Sequence, residues 1–149
     1  MRGTKQSSFY GIIKMKFKKI TYIELNARQK ESYNFQKVSA VFADYWFVTI
    51  RLSDDWQGAD FIAQHIDGDI FLKVQLKWRL TLDKKYIGKN LWICFPLWED
   101  WYLYEHDIFM QELSEYSSFQ NTKAWIEWWN VSNGSPTKQD KKLLEKYKL

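Results

Sequence analysis

Apolar and polar positions alternate with different periods along this chain, and the period predicts the elements. From Asn26 to about Asp44 the apolar residues Phe35, Val38, Phe42 and Tyr45 recur at helical spacing, and Asn26 with Gln29 forms a capping-box start, so a helix is expected there. Trp46–Leu52 is rich in β-branched and aromatic residues and reads as a strand, ended by a turn over Ser53–Gly58. Leu91–Phe95 is a continuous apolar run that predicts a strand in mid-sheet, stopped by Pro96. A further short strand is expected at Trp101–Tyr104, then a helix capped by Asp107 over Ile108, Met110 and Leu113. The tail predicts a short element at Asn121–Trp129, helix or strand, with Trp125, Trp128 and Trp129 on one side. After the break at Asn133–Pro136, Thr137 opens a last helix with Leu143, Leu144 and Tyr147 turned inward.

The most informative stretch is 58–77, where two alternating runs meet at Asp67-Gly68, a strong hairpin signal. With those two residues as the loop, Ile66 pairs with Asp69 and Asp60 lies opposite Gln75, their Cβ atoms roughly 5 Å apart. Period two puts Asp60, Ile62, Gln64, Lys73, Gln75 and Lys77 on one face. The other face, with Phe61, Ala63, Leu72, Val74 and Leu76, is core. His65 falls on that core side and is expected to be a satisfied histidine rather than a ligand.

Composition narrows the class. A chain of 149 residues is one domain's worth, read as a basic arm over 1–20 and one domain over 21–149. Nine tryptophans exceed what a core of this size needs, so some are expected to face a ligand, an unpaired base or another subunit. Net charge is only +4, but residues 1–30 carry eight Lys or Arg against Glu24, which suits a one-sided approach to a polyanion. Residues Ile12–Ile20 read equally as a lysine-guarded edge strand or as an arm along a phosphate backbone. Cys94, the one cysteine, lies in an apolar run. A disulfide framework, a zinc site and a cysteine nucleophile are therefore all disfavoured. No run approaches the ~18 apolar residues of a membrane span and no signal-peptide core is present, so a cytoplasmic protein is expected.

Asp60 and Gln75-Leu76-Lys77 together resemble the PD-(D/E)xK nuclease superfamily, which sets an Asp on one strand against a (Glu/Gln)-x-Lys on the next. Gln in place of the usual Glu resembles the Mrr-like restriction-endonuclease branch, and the resemblance covers roughly residues 24–116. It implies an α/β fold, a single mixed β-sheet flanked by helices with a restriction-endonuclease-like core. It also implies a metal-dependent endonuclease that hydrolyses DNA, with Mg²⁺ or Mn²⁺ as cofactor. Asp60 and Gln75 would be metal ligands and Lys77 would orient the water and balance charge in the transition state. Glu31, one turn before Phe35, is expected on the core-facing stripe, where it either completes the metal site or pairs with a Lys or Arg. Asp54 and Asp55 are rival carboxylates, more simply explained as turn residues. DNA is the expected partner, no membrane is involved, and a homodimer is compatible with the sequence. A non-catalytic nucleic-acid-binding module of the same fold, or an interaction subunit using the Trp-rich tail, are the alternatives.

Overall fold

The computed structural model describes residues 17–149, the side chains of 55 and 56 excepted. Helix α1 (Ala27–Asp44) leads into strands β1 (Phe47–Trp56), β2 (Ala59–His65), β3 (Phe71–Leu76) and β4 (Leu80–Asp83). Then come β5 (Trp92–Leu97), β6 (Asp100–Glu105), α2 (His106–Ser114), α3 (Lys123–Trp128), β7 (Asn130–Asn133) and α4 (Lys138–Leu144). Five strands form one mixed sheet in the order β1-β2-β3-β5-β6, antiparallel except for the β3/β5 pair. This is the expected α/β class. A second sheet, β4 with β7, was not foreseen. Most of the expected basic arm, and most of the Ile12–Ile20 segment, lies outside the described residues.

Helix α1 starts where its capping box predicts, Asn26 accepting from the Gln29 N–H at 2.9 Å while Gln29 accepts from Asn26 N at 3.0 Å. Its buried stripe is Asn34, Val38 and Phe42, whereas Tyr45 is the exposed C-cap rather than part of the stripe. Strand β1 runs on past Leu52 through the expected turn to Trp56, and the real turn is Gln57-Gly58, both left-handed with φ 61° and 87°. Such φ values at both positions of a two-residue loop match the twist of antiparallel strands. Gly58 is needed twice over, because a Cβ here would also stand 2.8 Å from the Tyr86 ring.

The central hairpin keeps the predicted register with a different turn. Pairs Phe61↔Val74 through Gln64↔Phe71 share the symmetry centre of an Asp67-Gly68 loop, yet His65 N donates to Ile70 O at 2.9 Å and Gly68 N to His65 O at 3.0 Å. The loop is therefore four residues, 66–69. Widening it by one residue on each side leaves every cross-strand partner unchanged. His65 is half-buried, its ring edge-on to Phe47 and its Nδ1 2.8 Å from Asp67.

Pro96 does not stop β5. Its ring nitrogen points to the side on which Cys94 O accepts from Lys77 N, where the β3 ladder has just ended, so no strand bond is lost. The N-cap of α2 is Glu105, not Asp107; the Asp107 carboxylate instead accepts from Gly88 N at 2.7 Å and meets His106 Nδ1 at 2.8 Å. Only Trp125 of the tail tryptophans is buried. Trp128 ends α3 and Trp129 has left the helix in a left-handed conformation, so the three rings do not form one stripe.

The sheet separates two cores. On the α1 side, Val38 and Phe42 pack on Phe61, Ala63, Val74 and Cys94. On the other side, Ile93, Phe95 and Tyr104 lie under Leu80, Leu82, Phe109 and Leu144 from the small sheet and the C-terminal helices. Burial pushes the Cys94 thiol far above its ordinary pKa, which leaves it a core residue rather than a nucleophile. Among the described residues no helix is long and apolar enough to cross a membrane.

Candidate active site at the end of the central hairpin

Asp60 stands one step beyond the last ladder pair Phe61↔Val74, and so opposite Gln75. Its Oδ2 accepts from Gln75 Nε2 at 2.5 Å and from the Leu76 backbone N–H at 2.7 Å. The carboxylate thus takes up the β3 N–H that the ladder leaves over, and Gln75 is held buried beside it. Gln75 Nε2 also approaches Leu76 O at 3.3 Å. Lys77 follows, its backbone anchored on β5 through Cys94 O at 2.8 Å and its ammonium 5.5 Å from the centre of the Tyr86 ring.

Asp60 opens onto a cleft of about 270 Å³ between α1 and the end of the sheet, whose walls include Lys30, Glu31, Asn34, Arg51 and Trp78. Glu31 lines the same cleft as Asp60 but does not lie on the core stripe, and of its two expected roles the structure shows the pairing with a basic residue. Its side chain is 65% exposed and is drawn across to β1 by an ion pair with Arg51, which also donates to Ser32 Oγ at 3.0 Å. Helical periodicity could not reveal this, because Arg51 comes from another element. Asp54 lies within β1, not in a turn. Arg51 and Tyr86 were not singled out from the sequence. Arg51 faces α1 because Phe47, Thr49 and Arg51 alternate with Val48 and Ile50, and that periodicity was available to be read.

The donor set is oxygen-rich: the Asp60 carboxylate, the Leu76 carbonyl and the Gln75 amide are the kind of ligands a hard divalent cation takes. As the side chains stand, the amide NH₂ of Gln75 fills the space between Asp60 Oδ2 and Leu76 O. A cation fits there only with that amide turned to present Oε1. Among the described residues no three His, Cys, Asp or Glu side chains gather as a metal-holding group.

No protein-family model and no curated protein sequence matches this chain. A solved structure to which it is similar is Hjc, a Holliday junction resolvase from Archaeoglobus fulgidus, an archaeal hyperthermophile. The identity is 15% and the TM-score 0.41, over 49% of this chain and 76% of that one. At that overlap, function has to be argued from the site itself.

Proposed function

We propose that the chain is a nuclease of the PD-(D/E)xK type, an endonuclease that hydrolyses DNA phosphodiesters with Mg²⁺ or Mn²⁺, in the Gln-bearing Mrr-like variant. One observation carries the proposal: the hairpin register sets the Asp60 carboxylate against Gln75 and the Leu76 backbone, with Lys77 immediately after the strand. In this role Asp60, Gln75 and the Leu76 carbonyl would hold the cation, which supplies Lewis-acid polarisation of the phosphate and a more acidic bound water. Lys77 would place its ammonium against the phosphate and the attacking water. Glu31, released from Arg51, would add a carboxylate from the cleft wall, and Arg51 would then meet the phosphate backbone. The 1–20 arm would add sequence-independent phosphate contacts to the 21–149 domain.

A second reading is favoured by a specific contact. Gln75 donates to the oxygens a cation would need, and Glu31 is already paired, an arrangement suited to a DNA-binding domain of this fold that no longer cleaves. Plasmid cleavage titrated with Mg²⁺, beside chelator, Asp60→Ala and Lys77→Ala controls, separates the two. Metal-dependent nicking lost in both variants supports the nuclease. DNA binding without cleavage at any metal concentration supports the second reading. Cleavage that persists in chelator sinks the site assignment.

A further inference from the structure

Trp129 occupies a backbone conformation that packing does not explain. It is the C-cap of α3 with φ +63° and ψ 9°, left-handed geometry that glycine takes freely and that a bulky side chain adopts only at a cost. Burial does not offset that cost, since Trp129 is 61% exposed and its neighbour Trp128 is 70% exposed. What the conformation achieves is a position. The Trp129 carbonyl accepts from Lys84 N at 2.9 Å, which continues the β4/β7 ladder from Asp83↔Asn130. The Lys84 ammonium then lies 5.5 Å from the Trp129 ring centre and 5.1 Å from that of buried Trp125.

Lys84 begins a single 3₁₀ turn, Lys84–Tyr86, that leads back to the hairpin site. Lys85 holds its ammonium 4.9 Å from the centre of the Tyr86 ring, and Lys77 holds its own 5.5 Å from the same ring. Cations and rings therefore follow one another from Lys77 past Tyr86, Lys85 and Lys84 to the exposed indole of Trp129. Asp83 directly precedes Lys84, and Glu127 lies on α3 two residues before Trp129. Asp83 accepts from Lys85 N at 3.0 Å with its other oxygen 3.6 Å from Lys85 Nζ, and Glu127 is 3.7 Å from Lys123 Nζ, so each already has a cationic neighbour.

We infer that Trp129, with Lys84 beside it, is a stacking site for unpaired nucleobases, on which a single-stranded segment of nucleic acid rests as it leaves the Asp60/Lys77 site. An aromatic face takes any base, and the flanking ammonium groups follow the phosphates; this combination recognises single strands rather than base-pair edges. A duplex keeps its base faces stacked internally and gains only the lysines. The inference rests on the nucleic-acid reading above and narrows it to substrates with an unpaired segment.

The test measures anisotropy of a labelled oligo(dT) and of a labelled blunt duplex with the full chain in chelator, so that hydrolysis plays no part. Trp129→Gly is expected to weaken oligo(dT) binding about tenfold or more, the range seen for loss of a stacked ring, and to leave duplex affinity within about twofold. Because glycine accepts φ +63° without strain, the same variant should melt no lower than the wild type, whereas a ring that served folding would lower the melting temperature. Lys84→Ala should weaken oligo(dT) more than duplex, and Trp129→Phe should restore most of the lost affinity. Unchanged oligo(dT) binding in Trp129→Gly, or an equal loss for both ligands, overturns the inference. So does a drop in self-association of that variant with no change in oligo(dT) affinity, which would assign the ring to a protein interface. Failure of the cleavage reading looks different: no metal-dependent nicking, with selective oligo(dT) loss intact.

Discussion

The two halves of the main sheet are built unequally. Strands β5 and β6 are covered on both faces: Ile93, Phe95 and Tyr104 lie under the small sheet and the C-terminal helices, and Cys94 lies under α1. Strands β1 to β3 are covered by α1 on one face, and much of their opposite face is open, with Val48 65%, Ile50 52% and Phe71 57% exposed. Within the sheet the parallel β3/β5 pairing joins the halves, and Gln75 lies within that seam, between Val74↔Trp92 and Leu76↔Cys94. Asp60 approaches the seam from one half, while Lys77 is anchored to the other through Cys94 O. The candidate site therefore sits where a heavily packed half meets a lightly covered one. Lys77 takes its position from the packed half, while the cleft beside Asp60 lies on the α1 side of the other half.

The largest effect should come from the packed half. Phe109 is fully buried, its ring centre 4.3 Å from that of Tyr104 and 5.5 Å from that of Tyr147. Phe109→Ala removes the ring and leaves a cavity, for an expected loss of about 3–5 kcal/mol in denaturant unfolding. A loss under about 1 kcal/mol would mean that this layer is not the stabilising one and would break the comparison.

A smaller effect, dependent on pH, tests how the C-terminal turn is fastened to that layer. Glu112 on α2 accepts from Lys146 Nζ and from Tyr147 OH, each at 2.5 Å. The Lys146 ammonium first, and the Tyr147 hydroxyl second, hold the Glu112 carboxyl below its ordinary pKa. A folded pKa lower than the unfolded one stabilises the fold above the unfolded value of about 4.3. That contribution is lost as pH falls through the folded value. Glu112→Gln should therefore be less stable than the wild type at neutral pH, with the gap closing below about pH 4. Melting curves from pH 7 down to pH 3 measure it, and a gap that does not change with pH would remove the carboxylate from the account.

Much of the open half was legible because its signals are local. The hairpin register followed from alternation about one centre, and so survived the replacement of a two-residue loop by a four-residue one. The Asp60–Gln75 contact came with it. The packed half was harder, since it is assembled from distant pieces. Strands β4 and β7 are four residues each and nearly fifty residues apart, so neither has enough alternation to declare itself. Trp125, Trp128 and Trp129 look like a helical stripe only if the helix continues, and it ends at Trp128. Only the facing of Glu31 failed, for the same reason: one turn of helix predicts a facing, but the expected basic partner proved to be an arginine on β1, which decided where the carboxylate went.

The smallest expected effect is the sharpest test of the open face. Val48 and Ile50 lie on the edge strand with side chains largely in solvent, and Ile50 pairs with Ile62 on β2. Threonine keeps the β-branch that suits a strand; it exchanges a methyl group for a hydroxyl at Val48 and an ethyl group for one at Ile50. If the face is in water, Val48→Thr with Ile50→Thr should change unfolding free energy by no more than about 0.5 kcal/mol for each substitution. The value should not depend on protein concentration. If a second copy of the chain covers the face, the same pair buries hydroxyls against apolar surface. The loss then grows, and it rises with the concentration at which the wild type is compared, because association stabilises only the folded chain. Chemical denaturation at two concentrations a hundredfold apart, with sedimentation of both proteins, decides between an exposed face and a buried one. Concentration-dependent stability in the wild type that the double variant abolishes would show that the two halves are equally covered in solution, the second half by its own chain and the first by its copy.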